Sequence, residues 1–332
     1  MSTPTERLTA AVPVSEDPAI SKLTKDFLSV LNTPGGPGLE TFPPEDARKV
    51  LVGAQNSVEV DYSGIEESEY IIETDGFKIK LDIVKPIGTN ETLPAFLFIH
   101  GGGWVLGDYP THKRMVRDLT VLSGAAGIFV NYTPSPEAQY PQPINEIYAV
   151  TKWVAENGGE IGIDGSRIAL VGNSVGGNMS TVTALLAKEK GGPEIKLQIL
   201  MWPVTDATFD WESYKLYGGD RFLTSPLMQW MFDNYTTNEE ERKQIHLSPL
   251  NATLEQLKGL PPTLIQVAEA DILRDQGEAY GRKLDEAGVV TTTIRYNGMI
   301  HDFGLLNPLA HLPQVRSLFT HAAAELKKYL DI

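Results

Sequence analysis

A serine stands between two glycines in the segment Gly172, Asn173, Ser174, Val175, Gly176 and Gly177. The apolar run ending at Val171 leads into it, and a helical pattern follows from Asn178 to Lys190. Glycines two places before and after a serine let the chain pass from strand to helix so sharply that the hydroxyl projects beyond the sheet. The chemistry available there is nucleophilic attack on a carbonyl carbon, and the amino-terminal dipole of the following helix favours the developing oxyanion. A second segment, His100, Gly101, Gly102, Gly103 and Trp104, follows the apolar run Ala95 to Ile99. Consecutive glycines after a strand bring backbone N–H groups close to a substrate with no side chain in the way. The N–H groups of Gly102, Gly103 and Val175 are the expected oxyanion donors. A phosphate-cradling loop is the competing reading, but the glycine spacings of phosphate and dinucleotide loops do not occur.

Such groups need a rigid platform, and the rest of the chain reads as one. Ser68 to Glu73 and Phe77 to Val84 alternate apolar and polar residues across Asp75 and Gly76, which predicts an antiparallel hairpin at a sheet edge. Ala95 to Ile99, Ala126 to Asn131, Arg167 to Val171, Leu197 to Trp202 and Pro262 to Ala268 are short apolar runs, as expected of strands buried on both faces. The β-branched run Thr291 to Tyr296 completes the set. Strands alternating with helical patterns imply a mostly parallel sheet covered on both sides. Val315, Leu318, Phe319, Ala322, Leu326 and Tyr329 define a C-terminal helix.

Two stretches break the alternation. Residues 1–55 hold a predicted helix with Ile20, Leu23, Phe27 and Leu31 on one apolar stripe, then the breakers Pro34, Gly35, Gly36, Pro37 and Gly38, then a helix entered at Pro43 and Pro44. Residues 205–258 form an aromatic-rich insertion whose helix is expected to start with Ser225 as cap and Pro226 in the first turn. Together they are expected to form a cap over an apolar pocket.

Composition narrows the function. The chain of 332 residues is 42% hydrophobic and 21% charged, with a net charge of −15 and no cysteine. The negative balance argues against nucleic acid and anionic membrane as partners. Without cysteine there is no disulfide, thiolate metal site or cysteine nucleophile. No run approaches the roughly 18 apolar residues of a membrane span. The N-terminal stretch carries Glu6, Glu16, Asp17 and Asp26 and lacks the apolar block of a secretory signal, so a cytoplasmic address is expected. No zinc signature is present, and neither metal nor organic cofactor is expected.

His100 to Trp104 with Gly172 to Gly177 resembles the hormone-sensitive-lipase-like branch of the α/β-hydrolases, a group rich in bacterial esterases. The likeness runs from about residue 68 to 330 and includes Trp202 to Asp206, Ala268 to Asp275 and Gly298 to Phe303. It implies an α/β-hydrolase fold with a mostly parallel eight-stranded sheet flanked by helices. A catalytic domain would span 56–332, capped by residues 1–55 and by the insertion 205–258 after the sixth strand. In that family the acid is the aspartate after the penultimate strand, and the base is the histidine before x-Phe. Carried onto this chain, these are Asp271 and His301. The order Ser174, Asp271, His301 is also the one the fold requires. Asp275 and Asp302 are alternatives for the acid, although an aspartate near a helix start is more commonly a cap or dipole partner. His100 is expected to brace the glycine loop, and His112, His246, His311 and His321 to serve packing or surface.

The resemblance implies cofactor-free hydrolysis of a small ester, and related enzymes often dimerise, here with Thr291 to Tyr296 as an edge that could mediate a homodimer. Amide hydrolysis or perhydrolysis by the same triad leaves no separate mark. Plant gibberellin receptors resemble the family as non-catalytic ligand receptors, but they lack the histidine. Four departures are local. Asn173 replaces the usual aspartate and keeps its shape without the charge. Asp302 stands where glycine is frequent, beside the base. The segment Asn131 to Pro136 lacks the family's arginine, removing a positive charge near the glycine loop. Val175, where alanine is usual, puts a stiff branched side chain beside the nucleophile and narrows the acyl pocket. Val175→Ala should therefore move the optimum of a chromogenic ester series toward longer acyl chains; an unchanged profile would remove this explanation for a short-acyl preference.

Overall fold

The computed structural model describes residues 12–32 and 37–332; Glu6 and the breakers Pro34, Gly35 and Gly36 lie outside them. Among the described residues two helices come first, α1 (Lys22–Leu31) and α2 (Pro44–Gln55), the latter opened by Pro44 in its first turn. The alternating segments then pair residue for residue as the antiparallel hairpin of β1 (Ile65–Thr74) and β2 (Phe77–Pro86). The apolar runs become β3 (Leu93–Ile99), β4 (Ala126–Asn131), β5 (Ile163–Asn173), β6 (Leu197–Met201) and β7 (Thr263–Ala270), and the β-branched run becomes β8 (Thr291–Ile300).

These strands form an eight-stranded sheet in the order β1-β2-β4-β3-β5-β6-β7-β8, parallel throughout except at β2. Because β4 lies outside β3 while β5 lies on its other side, the crossovers from β3 turn in opposite directions and cover both faces of the sheet. The crevice outside the carboxyl ends of β3 and β5 is the position where an open α/β sheet binds ligand. Phe96, Phe98 and Phe129 are fully buried in the sheet's core.

Among the covering helices, α3 (Tyr109–Ser123) starts in a capping box between Asp108 and Thr111. The helices α4 (Gln142–Asn157) and α5 (Val175–Lys190) pack on each other and on β5. The insertion contributes the short helix α6 (Glu212–Tyr217), α7 (Ser225–Tyr235) and two single turns, α8 (Glu239–Arg242) and α9 (Leu254–Leu257). Helix α10 (Arg274–Glu286) covers β7 and β8, and α11 (Pro313–Leu330) packs on α3 and the central strands. Among the described residues, no helix is long and apolar enough to cross a membrane.

Two expectations about local structure are corrected. In α1 the buried positions are Thr24 and Leu28, while Leu23 and Leu31 are 48% and 45% exposed. Ile20 lies outside the helix, in a bridge to Gly298 closed by the N–H of Ser21 on the Gly298 carbonyl at 3.0 Å. This anchor on β8 sets the rotation of α1, so the stripe drawn through Ile20 does not describe its inner face. Helix α7 is capped by Thr224, whose hydroxyl accepts from the N–H of Leu227 at 3.2 Å, and Ser225 is its first residue. Thr224 is the residue with extended backbone, the geometry a cap requires.

The N-terminal segment and the insertion are tied by a buried ion pair. The Arg221 guanidinium donates to the Asp17 carboxylate at 2.7 Å and to the Val12 carbonyl at 2.6 Å, and it lies over the Tyr217 ring. The Asn32 amide adds a bond of 2.7 Å to the Asp220 carbonyl. Removing one partner of a buried pair leaves an uncompensated charge. Arg221→Ala should therefore lower unfolding free energy by about 3 kcal/mol or more, seen as an earlier denaturation midpoint; an unchanged midpoint would show that the tie carries no stability.

Candidate active site

Ser174 occupies the turn between β5 and α5 with φ of 55° and ψ of −122°. This left-handed conformation is strained for a side-chain-bearing residue. It is held by backbone bonds on both sides: the Ser174 N–H donates to Met201 O at 2.8 Å, and its carbonyl accepts from Val204 N at 3.2 Å. Gly176 is required by contact, since a Cβ there would collide with the Ile99 carbonyl oxygen at the end of β3. The turn is thus seated directly on the strand that launches the glycine loop.

Asp271 follows β7 and His301 follows β8, so the parallel register of these two strands sets their separation. The structure brings the three predicted residues together. The Ser174 hydroxyl lies 3.0 Å from His301 Nε2, and His301 Nδ1 lies 2.8 Å from Asp271 Oδ2. The other Asp271 oxygen accepts from the N–H of Leu273 at 2.9 Å, which fixes the carboxylate plane. All three residues are buried. Burial opposes a charged imidazole, but the carboxylates of Asp271 and Asp302 outweigh it and raise the His301 pKa above its ordinary value.

The two alternative acids separate cleanly. Asp275 accepts from the Ser213 N–H and from Arg274, each at 2.8 Å, and so ties α10 to the insertion. Asp302 adjoins the imidazole on the opposite side from Asp271. Its Oδ1 accepts from Asn173 at 3.1 Å and from the Trp202 indole at 2.7 Å, and its Oδ2 lies 3.9 Å from His301 Nε2.

The glycine loop follows β3, and Gly102, Gly103 and Trp104 take φ values of 100°, 63° and 62°. A Cβ on Gly103 would collide with Met231 of α7, so the insertion packs straight onto this loop. The N–H of Gly101 donates to Asn173 Oδ1 at 2.9 Å, which ties the loop to the residue before Ser174. Among the described residues, no acceptor takes up the N–H groups of Gly102 and Gly103. Val175, as the first residue of α5, offers a third N–H with no partner inside its helix. His100 braces the loop from below, stacked on Tyr132 and Phe129, with Nδ1 2.8 Å from the Gly101 carbonyl. Burial pushes its pKa down to about 4, so it stays neutral. His112 is buried beside it, whereas His246, His311 and His321 lie nearer the surface, away from Ser174.

Several supporting residues were not visible from local sequence. A positive charge reaches the end of the glycine loop from α2: Arg48 donates to Val105 O at 2.8 Å and to Ser135 O at 2.9 Å, and it pairs with Glu137. The loop after His301 is held by Arg114, which donates to Leu305 O and Asn307, and by Gln55, which donates to Leu305 O. The Trp202 and His301 rings stand nearly perpendicular, with centroids 6.4 Å apart, while the Trp202 N–H holds Asp302. Of these, only Trp202 carried a sequence signal, its place at the end of a predicted strand.

The family described as alpha/beta hydrolase fold matches residues 96–305. Carboxylesterase NlhH of Mycobacterium tuberculosis is 34% identical over 76% of this chain and 79% of its own length. Ethyl acetate hydrolase of Pseudomonas putida is 32% identical over 69% of this chain and 72% of its own. Among solved structures, a thermostable esterase from Pseudomonas putida superposes with a TM-score of 0.94 at 56% identity, covering 95% of this chain and 99% of that one. With a nucleophile turn, a glycine loop and a serine, histidine and aspartate at one sheet end, the chain belongs to the hormone-sensitive-lipase-like branch of the α/β-hydrolase family and is a serine carboxylesterase.

Proposed function

We propose that the protein hydrolyses small, short-acyl carboxylic esters through an acyl-enzyme formed on Ser174. The observation that carries this reading is the unbroken chain from the Ser174 hydroxyl through both nitrogens of His301 to Asp271. His301 Nε2 takes the hydroxyl proton as Oγ attacks the ester carbonyl carbon. The carbonyl oxygen becomes an oxyanion and is met by the N–H groups of Gly102, Gly103 and Val175. The imidazolium then returns its proton to the leaving alkoxide, and the C–O bond breaks to leave the acyl group on Ser174. Water repeats the sequence: His301 takes its proton, hydroxide adds to the acyl carbon, and Ser174 leaves with the proton restored. Asp271 holds the imidazole in the needed tautomer and stabilises its charged form.

In this reading residues 1–55 and 205–258 are the cap of the catalytic domain. Met231 on Gly103 and the Asp17 to Arg221 tie support it, because they join both segments to the site and to each other. A nucleophile only 4% exposed and the branched Val175 beside it favour short acyl groups. The name of the Pseudomonas putida relative, ethyl acetate hydrolase, points the same way. The retained His301, poised for proton transfer, favours turnover over the role of a non-catalytic ligand receptor. Strand β8 ends the sheet, and its Thr291 to Tyr296 stretch, ahead of the Ile20 bridge at Gly298, is the edge left for the expected homodimer.

With a chromogenic acetate or butyrate ester, Ser174→Ala should lower kcat by on the order of 10⁴-fold or more, with the folded state intact by circular dichroism. Equal turnover by the two proteins would sink the proposal.

A further inference from the structure

We propose that Asp302 is a positioning residue acting through His301: its carboxylate sets a second negative charge beside the nitrogen that takes the serine proton, and Asn173 is its matched donor. The inference rests on the reading of His301 as general base.

The two oxygens of Asp302 have different surroundings. Oδ1 is saturated by two N–H donors, Asn173 Nδ2 at 3.1 Å and Trp202 Nε1 at 2.7 Å. Oδ2 receives no such donor among the described residues and lies 3.9 Å from His301 Nε2, the atom 3.0 Å from the Ser174 hydroxyl. The carboxylate is therefore oriented by its bonded oxygen so that its unbonded oxygen faces the catalytic nitrogen. Its backbone is fixed as well: Asp302 sits at φ of 60°, with its carbonyl accepting from the N–H groups of Leu305 and Leu306 at 2.8 and 2.9 Å. Glycine takes that conformation most easily, and aspartate is among the few other residues that tolerate it.

Burial raises the Asp302 pKa, while the neighbouring His301 and the donors Asn173 and Trp202 act to lower it, so Asn173 is one of the groups that favour the charged form in a buried site. Its Oδ1 accepts from the Gly101 N–H and its Nδ2 donates to Asp302, so one amide joins the glycine loop to the carboxylate. An aspartate at this position would keep the first bond but set a second anion against Asp302 in place of a donor. Asparagine at 173 and aspartate at 302 therefore behave as one coupled choice, not as two separate departures.

The consequence falls on His301. The charged groups acting on its imidazole are Asp271, on the Nδ1 side, and Asp302, on the Nε2 side. Tyr214, which faces Asp271, stays neutral because burial raises its pKa, and burial keeps His100 of the glycine loop neutral too. An opposite charge within about 4 to 6 Å commonly shifts a pKa by about one unit or more. With two carboxylates the imidazolium is favoured from both sides, so the base loses its proton only at higher pH and the acidic limb of the activity profile moves upward.

The test compares kcat/KM against pH for wild type, Asp302→Asn and Asp302→Gly on the same acetate ester, since this ratio reports the free enzyme's ionisations. Asparagine keeps the size of the side chain, and glycine suits the backbone conformation, so a folded variant without the carboxylate is available either way. Both should move the acidic limb down by about one pH unit. One unit below the wild-type limb, the active fraction of the base then rises about five-fold. The swapped double variant Asn173→Asp with Asp302→Asn restores a donor and acceptor pair while withdrawing the charge from His301, and should also show the lower limb. A lower plateau or melting temperature with the limb unmoved would reduce Asp302 to a structural part and overturn the inference. Ser174→Ala run alongside keeps the two readings apart: if it retains wild-type turnover, the mechanism fails and this inference falls with it.

Discussion

The contact between Gly176 and the Ile99 carbonyl is the constraint on which the site depends. It seats the turn after β5 on the end of β3, and these are the neighbouring strands from which the sheet's crossovers diverge. One close approach thus fixes Ser174, the start of α5 and the glycine loop relative to each other. Ser174 can hold a left-handed backbone because it is clamped by Met201 and Val204 from the next strand end. Strain of this kind typically costs on the order of 1 to 3 kcal/mol and persists only where the surroundings over-determine it. Here the surroundings are the central strands themselves.

Around that rigid turn the protein manages buried charge by pairing from a distance. Arg48 reaches from α2 to the glycine loop, Arg114 from α3 to the loop after His301, and Arg221 from the insertion to Asp17. Each guanidinium satisfies backbone carbonyls as well as a carboxylate or amide, which burial requires of Arg114 and Arg221 and which the half-buried Arg48 shares. The same economy governs the imidazole, where carboxylates on two sides offset the burial that would otherwise favour the neutral ring. The protonation of His301 is therefore a property of an assembled environment, not of the side chain alone.

Local sequence was sufficient wherever one strong pattern dominated. The strand runs, the hairpin turn and the strand-to-helix turn at Ser174 all carry their cause within a few residues, because periodicity and backbone freedom are local quantities. The chain order of serine, aspartate and histidine was readable for the same reason: each follows a strand whose apolar run is unmistakable. Local reasoning failed where one residue's place was set by a distant one. Helix α1 turns inward on Thr24 and Leu28 because Ile20 is held by Gly298. The segment Asn131 to Pro136 reads as having lost a positive charge, yet Arg48 brings one to Val105 and Ser135 from a segment far away in sequence.

By itself, then, the sequence determined the sheet, its helices, the turn that raises Ser174 and the order of the groups around it. Tertiary structure alone decided the distances, the rotation of α1, the contact of Met231 with Gly103 and the joining of Asn173 to Asp302. The reason is physical. Secondary structure follows from periodicity within a segment, whereas a hydrogen bond between residues 173 and 302 exists only after several strands have set their register.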